Sequence, residues 1–509
     1  MNREIELKLE CEPDALDRVS RAPVLSRLKR GRASEKTLRS TYFDTEDFSL
    51  MKSGLALRVR EAGGKRIQTL KTESDGNGLA SDRGEWEVQL GHDEEGPNLN
   101  HLPANLKERI RKAANGAPIS PRLVSDIHRI ARQLTTPDGD EIELAIDRGV
   151  LRANGREARV SEVELELKRG DPSSLYRLAL ELADLVPLRV GMRSKAERGV
   201  TLAGDEKPAA IRADMIAFAR GIDVEDAYAT ILHHCLSHLL VNEAIAIESA
   251  SSEALHQMRV ALRRMRSAFA AFRKVMKDET AQHLSRDAKW LATAIGRARD
   301  FDVFITTILA PLEKESPGDA ELLALREAAE KQRKRAWAGA RSALRSARMS
   351  SFVLRLALYV DERNWRDDGG DVSGFEGPLS DFAPKVLDKY LKDAAKLGRR
   401  IDDLSVDERH DLRKRLKKLR YTLSFFSSLY RRPDTRNYLH ALSELQDVFG
   451  ALNDVESARK LAEELTSVQP SLAAPGQRLL AYHERRARKQ WQSAVGLWRD
   501  FRDIEPFWR

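Results

Sequence analysis

Two segments of this chain alternate between charge and aliphatic side chain at every residue. In Glu4-Ile5-Glu6-Leu7-Lys8-Leu9-Glu10 and Glu162-Val163-Glu164-Leu165-Glu166-Leu167-Lys168, every second side chain is ionised. A period of two belongs to a β-strand, so each segment becomes a strand with one apolar and one wholly ionic face. Leu55-Ala56-Leu57-Arg58-Val59-Arg60 places two guanidinium groups on one face, and Thr69-Leu70-Lys71 adds an ammonium. Glu85-Trp86-Glu87 and Glu141-Ile142-Glu143-Leu144-Ala145-Ile146-Asp147 add carboxylates. Two architectures satisfy such strands. One is an antiparallel sheet with its charged face in water, the commoner solution and the first to which alternation alone points. The other is a sheet closed around a wet, ionic interior that holds a ligand.

The opening Glu4-x-Glu6-x-Lys8 resembles the ExExK signature of the CYTH family, the triphosphate tunnel metalloenzymes. The later elements resemble that family in order: Tyr42-Phe43-Asp44-Thr45, Arg58-x-Arg60, Lys71, Glu85-x-Glu87, Arg129 and Arg132, Asp147, Glu162-x-Glu164-x-Glu166, and Ser194-Lys195-x-x-Arg198-Gly199. The resemblance covers residues 1–204. It implies a closed antiparallel β-tunnel with flanking helices, hydrolysing or cyclising triphosphates with a divalent metal. On that reading Arg58, Arg60, Lys71, Arg129 and Lys195 hold phosphate oxygens, arginine in bidentate fashion. Glu4, Glu6, Asp147, Glu162, Glu164 and Glu166 are oxygen ligands suited to Mg²⁺ or Mn²⁺. Glu4, Glu6 and Lys8 form the catalytic group. A salt bridge to a facing Arg or Lys remains the alternative for any single carboxylate.

Near residue 205 the text changes character. Gly204-Asp205-Glu206-Lys207-Pro208-Ala209-Ala210 reads as a linker, extended here over 205–215, and beyond it long Ala, Leu and Arg runs read as helix. The net charge of +8 is lopsided too, since residues 1–200 hold 35 basic and 34 acidic side chains and the excess lies beyond them. That part also repeats. His256-Gln257-Met258-Arg259-Val260-Ala261-Leu262-Arg263-Arg264-Met265-Arg266 aligns with His410-Asp411-Leu412-Arg413-Lys414-Arg415-Leu416-Lys417-Lys418-Leu419-Arg420, 154 residues later. Gly296-Arg297-Ala298-Arg299-Asp300 aligns with Gly450-Ala451-Leu452-Asn453-Asp454 at the same offset, which indicates a duplicated helical unit. At about 100° per residue, His256, Arg259, Arg263 and Arg266 share one narrow stripe, as do His410, Arg413, Lys417 and Arg420. Met258, Leu262, Met265, Phe269 and Phe272, and in the second copy Leu412, Leu416, Leu419, Leu423 and Phe426, form the apolar faces. Packed by those faces, the two helices would bring both basic stripes onto one surface.

Residues 216–509 resemble a CHAD domain, the conserved-histidine α-helical domain that binds inorganic polyphosphate. That resemblance implies polyphosphate contacts from both stripes and from Arg297 and Arg299, although Ala451 and Asn453 stand opposite the last two. His256 and His410 lie outside any zinc-type spacing. His233, His234 and His238 read as helix packing.

Other classes are disfavoured. Cys11 and Cys235 are the only cysteines, so no disulfide framework is expected. There is no Walker or GxGxxG loop, no apolar run approaching about 18 residues, and no room before the first strand for a leader. Base-stacking aromatics are sparse along the stripes, so no specific nucleic-acid partner is expected. The expected whole is an α+β chain: a β-tunnel with flanking helices at 1–204, then an all-α domain of two pseudo-repeated helical bundles at 216–509. The resemblances imply a cytoplasmic inorganic triphosphatase with affinity for polyphosphate and its granules. Adenylate cyclase, thiamine triphosphatase and a non-catalytic polyphosphate binder stay open, and oligomeric state is not legible.

Overall fold

The period-two segments pair with one another and close into a barrel. The computed structural model describes residues 2–72, 79–91, 94–204, 208–275, 278–366 and 374–509. The nine strands among the described residues are β1 (Asn2–Glu10), β2 (Lys29–Asp44), β3 (Leu55–Ala62), β4 (Lys65–Thr72), β5 (Ser81–Gln89), β6 (Ser120–Thr135), β7 (Glu141–Ala153), β8 (Arg156–Arg169) and β9 (Arg189–Val190). They run β5-β4-β3-β2-β6-β7-β8-β1-β9, and a further β5–β1 pairing closes eight of them, leaving β9 as a spur on β1. Every pairing is antiparallel. The register sets Lys8 opposite Glu164, Asp147 opposite Glu162 and Tyr42 opposite Arg58.

Closure decides which face each half of the alternation meets. The ionic halves line the lumen, and the apolar halves point outward under helices α1 (Ala15–Ser20), α2 (Pro23–Leu28), α3 (Ser49–Lys52), α4 (Ala104–Ala114), α5 (Ser173–Ala183) and α6 (Lys195–Ala203). Leu55, Leu57 and Leu70 form one buried cluster with Leu106 and Ile110 of α4. Each such side chain contributes about 1.5–3 kcal/mol on burial, which is why the ionic face goes inside. The water-facing sheet that alternation first suggests is thereby replaced. Tyr42-Phe43-Asp44-Thr45 is partly architectural: the buried Asp44 carboxylate accepts from the backbone N–H of Thr45, Leu50 and Met51 at 2.7, 2.9 and 3.0 Å, fixing the turn into α3.

Beyond the linker, whose Asp205–Lys207 lie outside the described residues, the chain is helical. The helices are α7 (Val224–Ser249), α8 (Ser252–Phe272), α9 (Glu279–Val303), α10 (Ala310–Glu315), α11 (Ala320–Leu344), α12 (Ala347–Asp361), α13 (Leu379–Gly398), α14 (Val406–Phe426), α15 (Arg432–Val468) and α16 (Ala473–Asp503). The duplication is visible in their boundaries. Helices α8 and α14 are each 21 residues long, and their serine N-caps, Ser251 and Ser405, are 154 positions apart. Helices α7, α8, α9 and α11 pack in series, as do α13 to α16, and α8 packs on α14. All ten apolar-face residues named for α8 and α14 are buried, with the Phe272 and Phe426 rings 6.2 Å apart. A two-residue antiparallel bridge between Asp223 and Pro378 ties the starts of the two halves together. Among the described residues no helix is long and apolar enough to cross a membrane.

One helix departs from this scheme. The chain divides into two compact units, Met1–Ala209 with Arg345–Arg363, and Ala210–Leu344 with Asn364–Arg509. Helix α12 therefore lies in the barrel unit although its sequence falls within 216–509. It packs on α5 and β9, the Ser350 hydroxyl accepts from the Leu188 N–H at 3.1 Å, and Arg177 pairs with Glu362. Phe352, Leu354, Leu356 and Val360 are buried. A fragment ending at Ala209 should therefore melt at least about 10 °C below the same fragment supplied with a 345–363 peptide. Calorimetry with and without the peptide checks this.

Candidate active site and anion-binding cleft

The barrel lumen is a cavity of about 280 Å³. Glu4, Glu6, Lys8, Arg58, Arg60, Lys71, Arg129, Asp147, Glu164, Glu166 and Lys195 all line it. Glu162 sits just behind this lining, 2% exposed, and reaches Lys195 and Arg198. The six expected carboxylate ligands fall into three groups. Asp147, Glu162 and Glu164 converge, each with a ligand oxygen within 4.8 Å of the others. Glu4 pairs with Lys71 and Glu6 with Lys8. Glu166, opposite Glu6 in register, pairs with Lys168.

Cations surround the converging triad. Arg129 donates to Asp147 through Nε at 2.7 Å and Nη2 at 2.6 Å and also meets Glu164. The Lys195 ammonium reaches Asp147 at 2.7 Å, Glu164 at 2.8 Å and Glu162. Burial opposes ionisation of Glu164, yet Lys195, Arg129 and Lys8 hold its carboxyl well below the usual carboxylate range. Glu162 goes the other way, pushed up by burial. Burial likewise raises Glu4, while Lys8 keeps Glu6 below its ordinary value against the same burial. Three buried carboxylates with oxygen donors are the donor set a hard divalent cation takes.

Another part of the lumen is crowded with positive charge. Arg58 beside it, then burial, then Arg129 push the Arg60 guanidinium down to about 10. The Nε atoms of Arg58 and Arg60 are buried without hydrogen-bond partners among the described residues. The Tyr42 phenol, hydrogen-bonded to Arg58, is lowered despite burial because Arg58, Lys195 and Arg60 surround it. Mutually repelling guanidinium groups with unused donors are the donor set an anion takes.

Arg83, Glu85, Glu87, Lys168 and Tyr42 also line the lumen and were not among the expected site residues. Alternation puts Glu85 and Glu87 on a charged face without giving them a role, and Arg83, two residues earlier, continues the same alternation. Arg198, one turn past Lys195 on α6, donates to Glu162 at 2.8 Å. Arg132 is not a lining residue of this cavity.

In the helical unit, both repeats meet at a cavity of about 470 Å³. His256, Arg259, Arg263 and Arg299 line it from one repeat, and His410, Arg413 and Lys417 from the other. Arg266, Arg297 and Arg420 are outside its lining: Arg266 is exposed, Arg297 pairs with Glu464, and Arg420 donates to Gln446 at 3.2 Å. The side chains of Ala451 and Asn453 lie outside the described residues. At Gly296 a Cβ would lie 2.0 Å from Nη1 of Arg259, so a larger residue there would displace that guanidinium. Asp300 enters the cavity 3.7 Å from Arg259. His238 is buried on α7 with Nε2 3.0 Å from the Ile211 carbonyl, consistent with packing.

Comparison with known proteins agrees with both halves. Residues 2–200 match the CYTH domain and residues 230–463 the CHAD domain. An inorganic triphosphatase of Haemophilus influenzae is 27% identical over 202 residues, covering 40% of this chain and 55% of that protein. The chain thus spans about half the length of that relative. An uncharacterised protein of Mycobacterium tuberculosis is 26% identical over 409 residues, covering 76% of this chain and 75% of the relative. The crystal structure of the CHAD domain from the plant Ricinus communis aligns at 30% identity and a TM-score of 0.52, covering 58% of this chain and 98% of that one. The chain carries a CYTH domain over residues 2–200, in its barrel, and through its duplicated helical bundles belongs to the CHAD family.

Proposed function

We propose that the barrel hydrolyses inorganic triphosphate to diphosphate and phosphate with Mg²⁺ or Mn²⁺, and that the helical cleft binds inorganic polyphosphate. The observation that carries this is the two-signed lumen: a converging carboxylate triad and, in the same cavity, arginines with unused donors. Arg58, Arg60 and Lys71 grip the phosphate oxygens, and Arg129 spans the cationic and carboxylate sets. Asp147, Glu162 and Glu164, with Glu4 and Glu6 nearby, would hold the metal, which supplies charge neutralisation and an activated water. Lys8 keeps Glu6 ionised, so the site retains its negative charge at neutral pH. Tyr42 is the aromatic side chain lining the lumen among the described residues, which favours a bare phosphate chain over a substrate carrying a base or thiazolium ring. The two free cysteines, both with thiols pushed up to about 11 by burial, suit a cytoplasmic setting, where the cleft would also engage polyphosphate granules.

Phosphate release from tripolyphosphate with each metal, beside Glu4→Ala and Arg58→Ala variants and with ATP in parallel, tests the barrel. Metal-dependent release that both variants lose, with little from ATP, supports the reading. Binding without release would make the protein a scaffold, and cyclic AMP from ATP would make it a cyclase.

The cleft adds a pH dependence. Burial pushes the His256 imidazole down against Glu253, and Arg299, Arg263 and Arg259 push the same way. It is therefore neutral in the free protein near neutral pH. A polyanion stabilises the charged form, so binding takes up a proton. Polyphosphate affinity should rise as pH falls from about 8 to about 6, by up to tenfold for each unit of pKa gained. Titration calorimetry in buffers of different ionisation heat checks the uptake, and His256→Asn should reduce it.

A further inference from the structure

Lys195 sits among the three carboxylates that suit a metal, within ion-pair distance of each. Its ammonium donates to Glu164 at 2.8 Å, lies 2.7 Å from Asp147 and pairs with Glu162, with 10% of its side chain exposed. Its backbone is fixed where α6 begins. The Ser194 hydroxyl accepts from the Glu197 N–H at 3.2 Å, and the Glu197 carboxylate accepts from the Ser194 N–H at 2.7 Å. Gly199 brings the same helix against Leu123, where a Cβ would come within 2.5 Å of a leucine methyl. The anchor is rigid and the four-carbon stem is not, so Nζ can leave the triad by side-chain rotation alone.

A cation coordinated by those oxygens would lie close to the ammonium. Like charges at that separation in a buried site exclude each other. We propose that Lys195 is a tethered competitor of the divalent metal: its ammonium occupies the Asp147–Glu162–Glu164 triad and must swing out before a metal is held there. The displaced ammonium then lies beside the guanidinium groups that receive the phosphate chain. Triphosphate captures it and so favours metal loading, which makes metal and triphosphate bind cooperatively through one side chain. The second half rests on the triphosphate reading of the lumen; the first does not.

The test uses the full chain and measures Mn²⁺ binding by the EPR signal of the free ion, with no phosphate present and with saturating imidotriphosphate. Lys195→Met should bind Mn²⁺ alone about tenfold more tightly than the unsubstituted protein, and the enhancement by imidotriphosphate should shrink by a similar factor. Arg198→Met separates competition from simple charge removal, because Arg198 touches only Glu162 of the three. An equal gain in that variant, or no gain in Lys195→Met, overturns the proposal. Acylation of the unsubstituted protein by acetic anhydride, read at Lys195 by mass spectrometry, decides the matter if the variant does not fold. Labelling should rise several-fold with Mn²⁺ alone and fall again with imidotriphosphate; labelling indifferent to Mn²⁺ refutes displacement. If imidotriphosphate fails to bind the metal-loaded protein, the triphosphate reading fails, while the metal-only comparison still tests competition.

Discussion

Glu164→Gln will lower metal-dependent phosphate release from tripolyphosphate by at least about a thousandfold, the largest single effect expected in the barrel. Glu164, like Asp147, is touched by both Arg129 and Lys195, so one substitution replaces an anionic oxygen ligand by a neutral amide and unbalances two buried cations. Breaking a buried pair in this way costs about 3–5 kcal/mol. The barrel should still fold, because its apolar outer face is untouched and Asp147 keeps its paired contacts with Arg129. The same ion pairs fix the sign of the acid response. Glu164 has its folded pKa depressed, so its contribution is present above the unfolded value of about 4.3 and is lost as pH falls through the lower folded value. The gap between the thermal melts of the two proteins should therefore narrow as pH falls from about 7 to about 3. A variant with near-normal turnover would remove Glu164 from the metal set.

Reversing three charges in the cleft, Arg263→Glu with Arg413→Glu and Lys417→Glu, should weaken polyphosphate binding by more than a thousandfold. Each charge-assisted hydrogen bond to phosphate is worth about 1.5–3 kcal/mol, and reversal adds repulsion. Arg263 belongs to one repeat and the other two to the second, yet all line the same cavity, so their losses should compound. The triple Arg266→Ala, Arg297→Ala, Arg420→Ala should change affinity only a few-fold, because none of the three lines the cavity. Calorimetry against long-chain polyphosphate at two salt concentrations compares the sets, and the reversal set should also show a shallower salt dependence. Turnover of tripolyphosphate in the reversal variant reports separately on the barrel. Equal losses in both sets would place binding on the stripes as a whole rather than at the cavity.

The alternation in β1, β3, β7 and β8 was legible because a strand period of two leaves an unambiguous mark, and the duplication because one offset recurs in α8 and α14. The alternation alone gave the charged faces of those strands and the offset gave both basic stripes, while Arg129 and Lys195 came only from the resemblance. Alternation could not say whether the ionic face meets water or a lumen, since both give the same pattern; the β5–β1 pairing decides that. It could not sort six carboxylates into a converging triad and two kinds of outlying pair, because convergence depends on barrel curvature rather than on spacing. Nor could the helical wheel separate Arg263 from Arg266, which share a stripe on paper but meet the cavity and the solvent respectively once α8 packs on α14. Most hidden was α12, amphipathic like its neighbours: periodicity records that a helix buries one face, and only the tertiary structure says against which partner. Local pattern is a property of neighbouring residues, whereas closure, convergence and choice of partner depend on residues far apart in the chain.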